Sequence, residues 1–164
     1  MTEPDHVEAG PVALHRAEGL LLFLETPKGR GIFAAQCIPK GTVIEVCPVL
    51  VLEPGEVNQH TSKTILNHYT YNWPAKDGSS SQAIVLGLGS MFNHSTYSQN
   101  VAWRRDLKTQ CVTYTALKDI APKEELCISY GRLWFKDADA DAIDQAAEEE
   151  DLDGLGGLAR IATS

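Results

Sequence analysis

A mainly β domain with little helix is what this sequence predicts. Short runs rich in Val, Ile, Leu and Phe recur at roughly ten-residue spacing. Turns carrying Gly and Pro separate them. The chain's 164 residues are enough for one domain, with a tail to spare.

Residues 1–10 read as disordered. The runs Leu20–Glu25, Gly31–Gln36 and Thr42–Leu52 read as strands, divided by the turn signals Pro27-Lys28-Gly29-Arg30-Gly31 and Pro39-Lys40-Gly41. His60–His68 suits a short helix with Thr61 or Ser62 at its N-cap and Ile65 and Leu66 facing inward. Tyr69–Trp73 alternates aromatic and polar residues, as a half-buried strand does. Ser81–Leu86 is a strand broken by Gly87-Leu88-Gly89. Asn100–Arg105 and Thr109–Ala116 form a hairpin through Asp106-Leu107-Lys108, and Glu125–Tyr130 is the last strand. Beyond Phe135 the composition changes, and Asp137–Glu150 has the Ala- and acid-rich character of an exposed helix ended by Gly154-Leu155-Gly156-Gly157. The expected organisation is therefore a domain over residues 11–135 and an acidic tail over 136–164.

Hydrophobic residues at 43% and charged residues at 22% exclude a wholly disordered chain, a fibrous repeat and a membrane bundle. A chain of this size buries about 70% of its unfolded surface and needs no disulfide or metal staple. Gly19–Leu24 is strand-sized, far short of the roughly 18 apolar residues that span a bilayer. The acidic start Met1-Thr2-Glu3-Pro4-Asp5 does not read as a secretory signal. Cys37, Cys47, Cys111 and Cys127 form no C-x-x-C pair and read as small core hydrophobes in a reducing compartment, with no metal expected.

Charge is unevenly placed. Residues 1–135 carry 12 Lys/Arg and 13 Asp/Glu, whereas residues 136–153 carry one Lys and nine acids. A duplex-DNA binder wants the reverse, so no direct nucleic-acid partner is expected. An acidic tail suits a basic protein or peptide, or serves solubility.

Three motifs carry the chemistry. Lys28-Gly29-Arg30-Gly31-Ile32-Phe33-Ala34 places two glycines where backbone can approach a ligand, although alone it reads first as a hairpin turn. It lacks the third Gly and the following helix of a dinucleotide fingerprint. Ser90-Met91-Phe92-Asn93-His94-Ser95 contains a glycosylation sequon, disfavoured without a secretory signal. Its Asn and His offer donors and acceptors suited to a purine edge, or else cap a turn. Glu124-Glu125-Leu126-Cys127-Ile128-Ser129-Tyr130-Gly131 alternates toward the core and ends on a tyrosine, by itself an ordinary core-edge residue.

In this order, about sixty and then about thirty residues apart, the three motifs resemble the SET-domain family of protein lysine methyltransferases. The resemblance runs from about Leu20 to Phe135 and is nearest to the small single-domain SET proteins of fungi and some viruses. It implies a β-clip of several small sheets, with a C-terminal pseudoknot threaded beneath a loop near the Asn-His motif. It implies S-adenosylmethionine as methyl donor, S-adenosylhomocysteine as product, and no metal. By match, Lys28, Gly29, Arg30 and Gly31 hold the methionine end of the donor, and Asn93 and His94 the adenine end. Trp134 or Phe135 lies against the adenine, and Tyr130 stands at the methyl-transfer channel.

The chain departs from the family pattern in places. Ile44-Glu45-Val46-Cys47-Pro48 has no tyrosine where many SET enzymes do, leaving Tyr69 and Tyr71 as the nearest aromatics for the channel wall, with tail residues after Phe135 a further source. Trp103 takes the often-aromatic position after the Asn-His motif, and Tyr97 and Gln99 stand where Pro is common. No cysteine-rich zinc-binding segments flank the domain. The expected function is methylation of lysine on a basic protein, with a histone tail as first guess and a ribosomal or elongation factor as another candidate. A catalytically weak module that binds basic peptides is the competing reading. A homodimer follows by analogy only. The nucleus is the expected location, with the cytoplasm open as well; no membrane partner is expected.

Overall fold

The ten-residue strand β4 (Val43–Leu52) organises the sheet. The structure, a computed structural model, describes residues 10–75 and 78–131. β4 is rich in β-branched residues, and Pro48 lies mid-strand. Before Pro48, β4 pairs antiparallel with β9 (Cys111–Ala116) and with the short β1 (His15–Arg16). After it, β4 pairs with β6 (Ser80–Val85). Proline offers no N–H to a ladder, so it falls where one partner hands over to the next. Its carbonyl still accepts from Leu86 N at 3.0 Å. β5 (Thr70–Pro74) and β8 (Val101–Asp106) complete the sheet in the order β5-β6-β4-β9-β8, with β1 beside β4.

The β8–β9 hairpin forms as the sequence predicts. Asp106 Oδ1 accepts from Lys108 N at 2.9 Å and Thr109 N at 3.3 Å, an Asx turn. These backbone bonds hold the Asp106 carboxyl below its usual value. The β2 (Leu20–Thr26) and β3 (Gly29–Ala34) hairpin is a separate two-stranded sheet. Its turn is tighter than expected: Gly29 and Gly31 already belong to β3.

The core lies between the sheet and the chain that crosses it. Ile32, Ile44, Phe92, Val101, Val112, Tyr114, Leu126 and Ile128 are all at most 1% exposed. The Phe92 and Tyr114 rings sit 4.8 Å apart.

The C-terminal stretch is stitched on both sides. Ala34 N donates to Glu124 O at 3.0 Å and Leu126 N to Ile32 O at 2.7 Å. On the other side β10 (Cys127–Ile128) runs parallel to β7 (Asn93–His94). Asn100, fully buried, closes the crossing: its Nδ2 donates to Glu125 O at 2.7 Å and Glu124 Oε1 at 3.0 Å, and its Oδ1 accepts from Cys127 N at 2.8 Å. Residues 124–128 thus lie between β3 and the 93–100 segment, the threading that a C-terminal pseudoknot requires.

Several expectations need correction. The predicted His60–His68 helix is two 3-10 turns, Thr61–Lys63 and Ile65–Tyr69, parted by an extended Thr64. Ile65 is 72% and Leu66 47% exposed, so neither faces inward. The helix of this region is instead α1 (Pro54–Gln59), begun by a proline at its first turn, where a missing N–H costs nothing. The last strand is only Cys127–Ile128, because its neighbours bond to side chains and to β3. Cys37 is exposed, while the other three cysteines are buried thiols. The predicted tail helix and residues 1–9 lie outside the described residues.

Candidate active site

The β2–β3 turn reaches the Asn-His segment. Lys28 Nζ donates to His94 O at 3.0 Å. Asn93 Nδ2 donates to Arg30 O at 2.9 Å and to Glu125 Oε1 at 2.7 Å. Gly29 has φ +89°, a left-handed conformation that favours glycine. Gly31 is required by proximity instead. A Cβ there would stand 2.4 Å from Glu125 Oε1 and 3.0 Å from Asn93 Nδ2. The space that the sequence suggests for a ligand at Gly31 is filled on that side by the Glu125 carboxylate.

Tyr130 is held at both ends by the same segment. Its N–H donates to His94 Nδ1 at 3.1 Å. A nitrogen that accepts carries no proton, so the His94 proton sits on Nε2, 3.0 Å from Thr96 Oγ1. The Tyr130 hydroxyl donates to Phe92 O at 2.7 Å. Burial pushes the phenol up to about 12, and the nearby Cys127, Glu125 and Tyr69 act in the same direction.

Four further aromatics gather here. Tyr69 Oη accepts from Arg30 Nη2 at 2.9 Å, with the guanidinium 5.7 Å from its ring centre. Tyr114 donates to Tyr71 Oη at 2.9 Å, and Tyr71 donates to Gly89 O at 2.8 Å. Burial raises both of these phenols well above their ordinary value. Trp103 stands edge-on to Tyr71 with centroids 5.3 Å apart, and its Nε1 donates to Ser129 O at 3.0 Å, beside Tyr130. Tyr130 lies close enough to raise the Tyr71 phenol, and Tyr69 close enough to raise that of Tyr130. Tyr114→Phe removes one buried hydroxyl yet leaves Tyr71 bonded to Gly89 O. It is expected to cost about 1 kcal/mol in urea unfolding with an unchanged slope.

Lys28, Arg30, Gly31, Asn93, His94, Tyr130, Tyr69, Tyr71 and Trp103 are therefore drawn together. Trp134 and Phe135 lie outside the described residues. Tyr97 is 63% exposed and joins no part of the cluster, and its loop is closed by Ser98 N donating to Ser95 Oγ at 2.8 Å. Glu45, in the segment without a tyrosine, is a buried structural carboxylate bonded to Arg16 and, at 3.0 Å, to Leu88 N. Glu125, Asn100 and Tyr114 are the residues that the sequence reading passed over. Glu125 stood inside a quoted motif, but nothing in its spacing marks it as Asn93's partner.

The SET domain family profile matches residues 29–131, the span that contains every described residue of this cluster but Lys28. The chain belongs to the SET-domain family of protein-lysine methyltransferases. This SET domain is 45% identical over 127 residues to a fission yeast (Schizosaccharomyces pombe) protein named histone-lysine N-methyltransferase, H3 lysine-37 specific, covering 77% of this chain and 83% of the relative. Two solved structures share the fold. One is a Plasmodium falciparum candidate histone methyltransferase, at TM-score 0.53 and 24% identity over 73% of this chain and 99% of that one. The other is CpSET8 from Cryptosporidium, at TM-score 0.56 and 22% identity over 69% and 57%.

SET enzymes take their methyl group from S-adenosylmethionine, and the donor set here fits that molecule. Asn93 Oδ1 accepts no hydrogen bond among the described residues, which leaves an acceptor for an ammonium. Lys28 and Arg30 bring cations suited to a carboxylate.

Proposed function

We propose that this SET domain methylates a lysine on a basic protein tail, with histone H3 as the first substrate, and that it acts in the nucleus. The observation that carries the reading is the meeting of Arg30, Asn93 and Tyr130, from three distant stretches, at one place walled by tyrosines and Trp103. The name of the fission yeast relative supports H3 as substrate class. The nine acids of residues 136–153 suit a basic peptide.

Lys28, Gly29, Arg30 and Gly31 hold the methionine end of the donor, where the Asn93 side-chain oxygen meets the ammonium, and His94 with the Asn93 backbone holds the adenine end. When bound, S-adenosylmethionine supplies a sulfonium methyl open to in-line displacement. The substrate amine must be neutral to attack. With a free pKa of ~10.4, that costs about 4 kcal/mol near pH 7.4. Tyr69, Tyr71, Trp103 and Tyr130 desolvate the ammonium and so lower its pKa. Aiming the nitrogen is worth roughly 7–11 kcal/mol.

Tyr130 orients rather than removes a proton. Its own proton is committed to Phe92 O, so its oxygen offers lone pairs to the amine N–H. With its phenol pushed up to about 12 it is a poor base, and water takes the proton released by the amine.

The test is incubation with methyl-labelled S-adenosylmethionine and core histones, followed by mass spectrometry. Label on an H3 lysine is the expected result. Label only on other basic proteins moves the substrate class, and donor binding without any transfer supports a peptide-binding module instead.

A further inference from the structure

We propose that Glu125 is a positioning residue: it locks the Asn93 amide so that Oδ1 faces the ammonium of the methyl donor. This rests on the donor site proposed above. An amide can sit either way round, and its neighbours decide which. Among the described residues the Asn93 side chain has two partners, Arg30 O at 2.9 Å and Glu125 Oε1 at 2.7 Å, and both are pure acceptors. Only the NH2 end can face them. The carbonyl end is thereby turned away, and no described residue donates to it.

Arg30 O alone would hold the amide with one bond, which a flip exchanges for water. The carboxylate adds a charge-assisted bond and makes the flipped amide repulsive, oxygen against oxygen. Gly31 leaves the carboxylate its room, because a Cβ there would crowd Oε1 and push it aside. Glu125 has this freedom because its backbone is fixed from both directions: the Phe33–Glu125 bridge holds it to β3, and Asn100 Nδ2 holds its carbonyl at 2.7 Å. Its side chain forms no ion pair among the described residues, so its charge stays with the amide and with whatever cation binds beyond it.

The experiment is calorimetric titration of the full chain with S-adenosylhomocysteine and with its des-amino analogue, in which hydrogen replaces the amino group. The proteins are wild type, Glu125→Ala and Glu125→Gln. A hydrogen bond to a charged group sets the scale at about tenfold to hundredfold. Glu125→Ala should weaken S-adenosylhomocysteine by at least about tenfold and leave the des-amino ligand within a few-fold of wild type. Glu125→Gln keeps an accepting Oε1 and should retain the wild-type preference for the amino ligand. Equal losses for both ligands in Glu125→Ala, or loss of that preference in Glu125→Gln, overturn the proposal. Should Glu125→Ala not fold, Glu125→Gln and the two ligands still decide it. Failure of wild type to bind either ligand overturns the donor site itself, a different result from an intact site indifferent to residue 125.

Discussion

Tyr130→Phe should lower turnover by about 10²–10³-fold while changing S-adenosylhomocysteine affinity less than about threefold, as read by initial rates and calorimetry. The ring remains and so does the backbone bond from Tyr130 N to His94 Nδ1, so the adenine end of the donor site keeps its shape. What disappears is the one oxygen whose proton is already given to Phe92 O and whose lone pairs are therefore aimed outward. The wild-type pH profile carries a second readout. Because the phenol titrates only near 12, it stays neutral throughout the usual assay range and adds no limb there. The rate should climb with pH as the substrate amine deprotonates toward its free value of ~10.4 and bend below that value to the extent the channel lowers it. A descending limb between pH 8 and 10 in the wild type that vanishes in Tyr130→Phe would show that this phenol ionises early and acts differently. Equal losses in donor affinity and turnover would place the hydroxyl in donor binding.

Asn100→Leu should be the most damaging single change to stability, costing about 3 kcal/mol or more and abolishing activity with it. Three partners depend on that amide: the buried Cys127 N–H, the Glu125 carbonyl and the part-exposed Glu124 carboxylate. Leaving a buried donor or acceptor unmet costs about 1–3 kcal/mol each, and the carboxylate can turn to Lys118 at 3.3 Å and to Ala121 N, so the first two dominate. Asn100→Asp should be no rescue although it is the same size. Its second oxygen would face Glu124 Oε1 and Glu125 O, acceptor against acceptor. Urea unfolding gives the cost. Amide exchange at Cys127 gives the location, since that N–H should lose protection before the β4–β9 ladder does. An Asn100→Asp protein as stable as wild type would mean that the crossing is held by its backbone bonds alone.

Most strands were legible because half-buried strands alternate and turns need particular residues. The Tyr69–Trp73 alternation became β5, and Asp106-Leu107-Lys108 became an Asx turn. The His60–His68 helix fails because Ile65 and Leu66 face outward, and the inward residue there is Thr61. Pro54 is a usable helix-start signal, but it opens a helix too short to show periodicity. The site was legible in its parts, since Asn-His, the glycine pair and the terminal tyrosine are local patterns. Their couplings were not. Nothing local says that Gly31 is small because Glu125 needs the room, or that Asn100 is buried, because both facts arise from chain crossing at long range. Cys37 shows the same limit in reverse: its local pattern matches the buried cysteines, yet its position leaves it exposed.

The stitching of residues 124–128 between β3 and the 93–100 segment also fixes when a newly made chain can become competent. The hairpin and the Asn-His segment leave the ribosome first, and the glutamate that turns Asn93 and the phenol that meets the amine follow about thirty residues later. Contacts such as Ala34 to Glu124 close loops of about ninety residues, the long-range kind that slows folding. A chain cut before Glu125 therefore holds the earlier pieces of the site without the residues that complete it.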